Sequence, residues 1–557
     1  MKNKQLFLVL LLAITTIMAF SISGLALKDT PVFGGCTDIV AGKDATIDGS
    51  VMTAHTVDWR YDSDIDIIPA ADHEPGEMVP IYENIPYNEQ AAAPLKKLGE
   101  IPQVEHTDKY FHGAYPYANE HQVIIGETTL GGARETTNSD ACIMTIEQAE
   151  VIALQRATTA REAIQIMGAL FEEYGFRDSA YLGECLTVTD PNEAWVFEVF
   201  GVGPIWSPDS GVSGAVWAAQ KVPDDHVTCV PNSSRIGEIK DPENRDDLMI
   251  SSNYIEVAEE LDLYDSDSGE PFIWKYIYGD VENFNEWGQY NRLYTAYNYF
   301  SDEEYKLDEA YLYPFSIKPN KKVTKDDYIH IYADTMQGTP YDMADNEAWY
   351  YTDSKGDRVK SPLATPQVTQ YELDLMGIEY YRPTARYYCS VYWFSQARSW
   401  MPDEIGGVIW FGLDNPENSP FVPMYIGVNS VPESWVRLER DEYDEDSAWW
   451  AFATVDDLVN HYYGKLKPWV DEVKYPMQEH MFMMQEPVEN KAMEIYENEG
   501  VAAAQEFLTY HTHSYMHWAE SAYWELADKL RLWTNNNTIF EYYPNIPKVL
   551  DPDPYNN

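Results

Sequence analysis

Within the stretch FGGCTDIVAGKDATIDGSVMTAHTVDWR, residues 33–60, stand a thiol at Cys36, an imidazole at His55 and a carboxylate at Asp58. A free thiol has a pKa of about 8.5, and its thiolate is the attacking form. A newly exposed α-amino group, with a pKa of about 7.7–8.0, takes such a proton near neutral pH. A cut before Cys36 therefore gives one residue both a nucleophile and a base, with Asp58 placed to orient the ammonium group. Gly34 and Gly35 let a second backbone approach that cut closely. Two other fates of Cys36 stay open. One is a structural disulfide, common for an exported cysteine. The other is a lipoprotein cysteine, although KDTPVF separates FGGC from the preceding apolar run.

The elements that must position these groups are local. CTDIVA and SVMTAHT read as two strands, and GKDATIDGS between them carries the turn residues Gly42, Asp48 and Gly49. A regular hairpin about the middle of Gly42–Gly49 sets Cys36 opposite residue 55, so the thiol is expected beside the imidazole.

The rest of the chain bounds the setting. Lys2 and Lys4, the apolar run Leu6–Phe20 and the small residues Gly24 and Ala26 read as a signal peptide over 1–26, followed by a propeptide over 27–35. Export to the cell surface or medium is the expectation, without stable membrane insertion once the signal is removed. With 92 Asp+Glu against 38 Lys+Arg, the net charge of −54 repels nucleic acid and anionic lipid. The cysteines are 36, 142, 185, 229 and 389, an odd number, so at least one is unpaired even if two disulfides form. Their spacing shows no metal-binding pattern, and neither a metal nor another cofactor is expected.

CTDIVAGKDATIDGSVMTAH…D resembles the start of the C69 peptidases, the dipeptidase A-type enzymes among the N-terminal nucleophile (Ntn) hydrolases. Further pieces follow in order: NEHQVIIGETTLGGARE (119–135), DPNEAWVFEVFG (190–201), VWAAQKVPDD (216–225), NSSRIGEI (232–239), QGTPYDM (337–343) and SQARSWMPDEIGGVIWFGLDNPENSPFVPMYIGV (395–428). The resemblance implies an α+β fold, the four-layer αββα sandwich, over a catalytic domain at 36–465. It also implies amide hydrolysis of small peptides through a thioester on Cys36. Related thiol amidases carry an Arg and an Asp on the strand after the nucleophile and an Asn further on. Asp58 takes the Asp position and Asn232 is the candidate for the Asn. The Arg position falls on His55, a departure, with Arg60 as an alternative. A further donor is expected from Glu127–Thr129, with Thr128 taken as substrate-binding. Arg398 is a candidate for holding a substrate carboxylate, with a structural salt bridge as the competing role. Asn232 also heads an Asn-Ser-Ser sequon, a glycan acceptor in a eukaryotic secretory setting.

Local patterns agree with a mixed fold. LTVTDPNEAWVFEV reads as a hairpin turning at Asp190-Pro191-Asn192. TTAREAIQIMGALFEEYG reads as a helix capped by Thr159, with Glu162 three residues on. From 466 to 557 the pattern is a helical extension, apolar-periodic over Ala502–Trp533, with a Pro/Asn-rich tail. His511, His513 and His517 there, and the Met-rich EHMFMMQE (479–486), read as packing surfaces. An alternative class, a surface carbohydrate-binding protein or glycosidase, draws on 42 Tyr, 17 Trp and abundant carboxylates, but no spacing pairs two of them. Self-association into a homo-oligomer is left open.

Overall fold

The strand Gly35–Ala41 (β1) and the strand Met52–Asp58 (β2) lie side by side in a six-stranded antiparallel sheet. Val227–Val230 flanks β1, and Cys389–Gln396, Val408–Leu413 and Val422–Tyr425 continue beyond β2. The computed structural model describes residues 35–59, 61, 64–83, 96–177, 182–281, 288–436 and 442–542, with side chains to 536. The signal peptide, the propeptide up to Gly34, Arg60 and the tail after 542 lie outside the described residues.

Every residue of β1 and β2 is buried. Six of them, Thr37, Asp38, Thr53, His55, Thr56 and Asp58, are nonetheless polar or charged. Burial of such groups is costly unless they are hydrogen-bonded or paired, so this hairpin is where the polar chemistry of the interior concentrates.

A second antiparallel sheet of eight strands runs Leu248–Ile250, Val216–Val222, Ala194–Phe200, Leu182–Thr189, Ile124–Gly131, Ala118–Asn119, Tyr110–His112 and Asp66–Ile68. It meets the first sheet at β1. There the Thr187 hydroxyl donates to Asp38 Oδ2 at 2.9 Å. A Cβ on Gly126 would lie 2.7 Å from the same oxygen, so only glycine allows the approach. Helices Ile146–Leu154 and Ala160–Tyr174 bury Ile152, Ile164, Met167 and Phe171 in one apolar cluster with Leu186, Val188 and Phe197 of the eight-stranded sheet. Leu293 and Ala296 of helix Gln289–Phe300, with Tyr328 and Ile331 of helix Lys325–Tyr332, join Ile39, Ala41 and Ala54 of the six-stranded one in another.

Three helices close the described chain: Ala448–His461, Tyr463–Glu499 and Val501–Tyr542. Gly500, at φ +94°, separates the last two. Met477, Met481, Leu508 and Tyr523 share one core with Trp410, Phe411 and Met424, so this helical stretch covers the six-stranded sheet. His513 Nε2 hydrogen-bonds to Ser430 there. The fold is mixed α and β with a helical C-terminal stretch. Among the described residues no helix is long and apolar enough to cross a membrane.

Local expectations meet specific outcomes. The turn at Asp190 forms, its carboxylate accepting from the backbone of Asn192 and Glu193 at 2.7 and 3.0 Å. Thr159 caps its helix through Glu162 N, and the Glu162 carboxylate reaches back to accept from the backbone and hydroxyl of Thr158. The β1–β2 register differs from the expected one: Cys36 pairs with Val57, and His55 with Asp38. The cause is the connection. Gly42 and Ala45 donate to the backbone of His226 and Asp224, and the Asp48 carboxylate holds Ser50, so β2 begins only at Met52. The two-residue shift preserves sidedness, and His55 stays on the face of Cys36.

Candidate active site

Strand register brings the second polar group to Cys36 from 196 residues away. β1 pairs with Val227–Val230, Asp38 opposite Val230, and continuing that register sets Asn232 opposite Cys36. Asn232 has φ +61°, a left-handed conformation that asparagine tolerates better than most residues. Its Oδ1 accepts from Cys36 N at 3.1 Å and from Arg292 Nη2 at 3.0 Å. Its Nδ2 donates to Thr129 O at 2.9 Å. The residue is fully buried, which leaves no room for a glycan.

Arg292 grips the same strand. Nη1 donates to Cys36 O at 2.5 Å and to Thr37 Oγ1 at 2.7 Å, and Nη2 also reaches Pro231 O at 2.9 Å. Asp58 lies opposite Gly35, and its Oδ2 accepts from Arg382 Nη2 at 2.5 Å in a pair at most 2% exposed. Arg292 and Arg382, both from later in the chain, thus bring positive charge to the head of β1. Arg292 carries a readable sign: it occupies the buried stripe Arg292, Ala296, Phe300 of its helix, and a charge on a core-facing stripe demands partners. Arg382, within YYRPTARYY, carries none.

On the sulfur side, Cys36 Sγ lies 3.5 Å from Glu127 Oε2. The other carboxylate oxygen, Oε1, accepts from Thr129 Oγ1 at 3.2 Å. His55 Nδ1 pairs with Asp38 Oδ1 at 2.7 Å. One ligand-type atom each of Cys36, His55 and Glu127 lie within 4.8 Å of one another. Burial pushes the Cys36 thiol well up, and the carboxylates of Glu127, Asp58 and Asp38 push the same way. Burial also raises Glu127, to about 6, and Asp38. The thiol therefore keeps its proton near neutral pH. None of the five cysteines forms a disulfide.

The residues expected from sequence thus separate. Cys36, Asn232, Asp58 and His55 converge at the head of β1. Thr128 is fully buried opposite Cys185, while its neighbour Thr129 makes the contacts to Asn232 and Glu127. Arg398 stands elsewhere, in a buried two-pronged pair with Glu489 at 2.7 and 2.9 Å.

The sequence model described as Peptidase family C69 matches residues 35–475. The match starts one residue before Cys36 and covers most of the chain, which defines a peptide-bond hydrolase. The chain belongs to peptidase family C69. It is similar to a protein named probable dipeptidase from Latilactobacillus sakei, 24% identical over 455 residues, 79% of this chain and 84% of the relative. It is also similar to a probable dipeptidase B of Lactococcus lactis subsp. lactis, 23% identical over 442 residues, 77% and 82% of the two chains. A probable dipeptidase A of Streptococcus pyogenes is 22% identical over 456 residues, 78% and 85%.

Proposed function

We propose that this protein is an exported, cysteine-type dipeptidase or small-peptide amidase, secreted or held at the cell surface. Its nucleophile is Cys36, made the first residue by removal of the peptide before it, within the four-layer αββα arrangement of the Ntn hydrolases. The names of the relatives support the dipeptidase reading. The observation that carries the mechanism is that the three polar atoms of Cys36 have separate partners: N with Asn232, O with Arg292, Sγ with Glu127.

Release of Gly35 turns the Cys36 amide nitrogen into an amine, still beside Asn232 Oδ1. The thiol is held protonated, so the nucleophile is made at the moment of attack. The amine takes the Sγ proton as sulfur bonds to the substrate carbonyl carbon. The amine then gives that proton to the departing amide nitrogen as the C–N bond breaks, leaving a thioester. Water adds to the thioester, passes a proton to the amine, and the acid leaves as sulfur regains that proton. Cys36 thus serves as nucleophile, base and acid.

Mass spectrometry of the purified protein tests this, with a dipeptide panel assayed in parallel. The expected mature N-terminus is Cys36, and Cys36→Ala abolishes hydrolysis. A fully active protein that begins upstream of Cys36, or a Cys36→Ala variant that still cleaves, overturns the reading.

A further inference from the structure

Cys36, His55 and Glu127 are at most 2% exposed and bring a sulfur, an imidazole nitrogen and a carboxylate oxygen within 4.8 Å of one another. The Sγ–Oε2 separation is 3.5 Å. Tetrahedral zinc, with sulfur at about 2.3 Å and oxygen at about 2.1 Å, separates those two ligands by about 3.6 Å. The imidazole is oriented as metal-bound imidazoles are, with one nitrogen held by a carboxylate. Nδ1 pairs with Asp38 Oδ1, and Asp38 is itself fixed by Thr187. That leaves His55 Nε2, a buried nitrogen with no hydrogen-bond partner.

We propose that Cys36, His55 and Glu127 form a binding site for zinc or a similarly soft divalent cation, and that metal bound there silences the nucleophile. Thiol and imidazole donors favour zinc over calcium or magnesium. The nearby charges permit it: Arg382 is paired with Asp58, and Arg292 contacts the strand through the Cys36 carbonyl and through Thr37, whose side chain leaves the face opposite to Cys36. Binding releases the thiol proton to solvent as the metal–sulfur bond forms, and His55 Nε2 and a Glu127 oxygen donate lone pairs. Water completes four-coordination in the uncleaved chain. In the processed chain, and resting on the mechanism proposed above, the Cys36 amine takes that position and closes a five-membered chelate with its own sulfur. The donors are distant in sequence, which is why cysteine spacing shows no sign of a metal.

The surface of a chain with net charge −54 gathers divalent ions unselectively, so the test compares variants. Zinc is titrated into the full-length protein against a chromophoric chelator, and cobalt(II) serves as a spectroscopic substitute. One tight equivalent of zinc is expected, absent in Cys36→Ala and about 10–100-fold weaker in Asp38→Asn, which loosens the imidazole. Cobalt should give a near-ultraviolet thiolate charge-transfer band, a readout on the wild-type chain that stands even if Asp38→Asn does not fold. Zinc should suppress dipeptide hydrolysis and a chelator restore it. Equal zinc uptake by wild type and Cys36→Ala, no cobalt–thiolate band, or hydrolysis indifferent to saturating zinc overturns the proposal. Should the chain cleave no dipeptide at all, the mechanism fails but the zinc and cobalt titrations still decide the site.

Discussion

The backbone nitrogen of Cys36 donates to the Asn232 side chain at 3.1 Å, a contact dictated by the pairing of β1 with Val227–Val230. The same Oδ1 receives Arg292, so one amide ties the backbone nitrogen of Cys36 to the cation that holds its carbonyl. Replacing Asn232 by Gly keeps the positive φ accessible and removes only the side chain. A displacement of about 1 Å in a catalytic group can cost on the order of 10²-fold in rate. Asn232→Gly is expected to lower kcat on dipeptides by about that factor, measured beside a thermal melt. A kcat within threefold of wild type in a folded variant would remove Asn232 from the site.

Gly35 gives a second prediction. A Cβ there would lie 2.6 Å from Arg382 Nη1 and 2.7 Å from Asn232 Oδ1, both closer than real Cβ atoms approach. Neither partner retreats easily, because Arg382 is bound to Asp58 and Asn232 to Thr129. Gly35→Val should therefore misplace the Gly35–Cys36 peptide, and uncleaved protein should accumulate. Intact-mass spectrometry of freshly expressed protein reads this directly, and a normal proportion of chains beginning at Cys36 contradicts it.

Part of this site is legible in the sequence alone. Cys36 and Asp58 announce themselves through strand patterning and turn residues, and Asn232 through its motif. The hairpin register departs by two residues from the one local turn chemistry implies, because the connection is anchored to Asp224 and His226, a long-range contact that such chemistry does not encode. His55 remains a neighbour of Cys36 only because the shift is even. Glu127 stands out as a member of the donor-rich GETT, but its approach to sulfur depends on one sheet facing another. The helix Val501–Tyr542 is the easier reading, since 3.6-residue periodicity is local, as is the Asp190 turn.

Arg398 yields a prediction about stability and one about binding. Its guanidinium spans both Glu489 oxygens and donates to the backbone of Ile405 and Gly406, tying helix Tyr463–Glu499 to the sheet. Removing one partner of a buried pair costs about 3–5 kcal/mol, whereas replacing both with apolar groups is often neutral. Arg398→Met should destabilise by that amount in denaturant unfolding, and Arg398→Met with Glu489→Leu should recover most of it. The stable double variant then separates the two roles considered for Arg398. An unchanged KM is expected and assigns it to architecture; a KM raised tenfold or more would assign it to a substrate carboxylate.

Asp334 sets a pH dependence away from Cys36. Its Oδ2 is buried, Oδ1 accepts from Met336 N at 3.0 Å, and burial pushes the carboxyl up to about 6. The folded state thus prefers the protonated acid, against an unfolded pKa of about 3.9. The stability this contributes is complete below about pH 3.9 and is lost as pH rises through about 6, a change of about 3 kcal/mol. Asp334→Asn keeps an acceptor for Met336 and removes the titration. Urea unfolding of both proteins from pH 4 to pH 7 should show the variant gaining on wild type by roughly that amount as pH rises. A stability difference that stays constant over this range would mean the carboxyl ionises in the folded protein as easily as it does in the unfolded one.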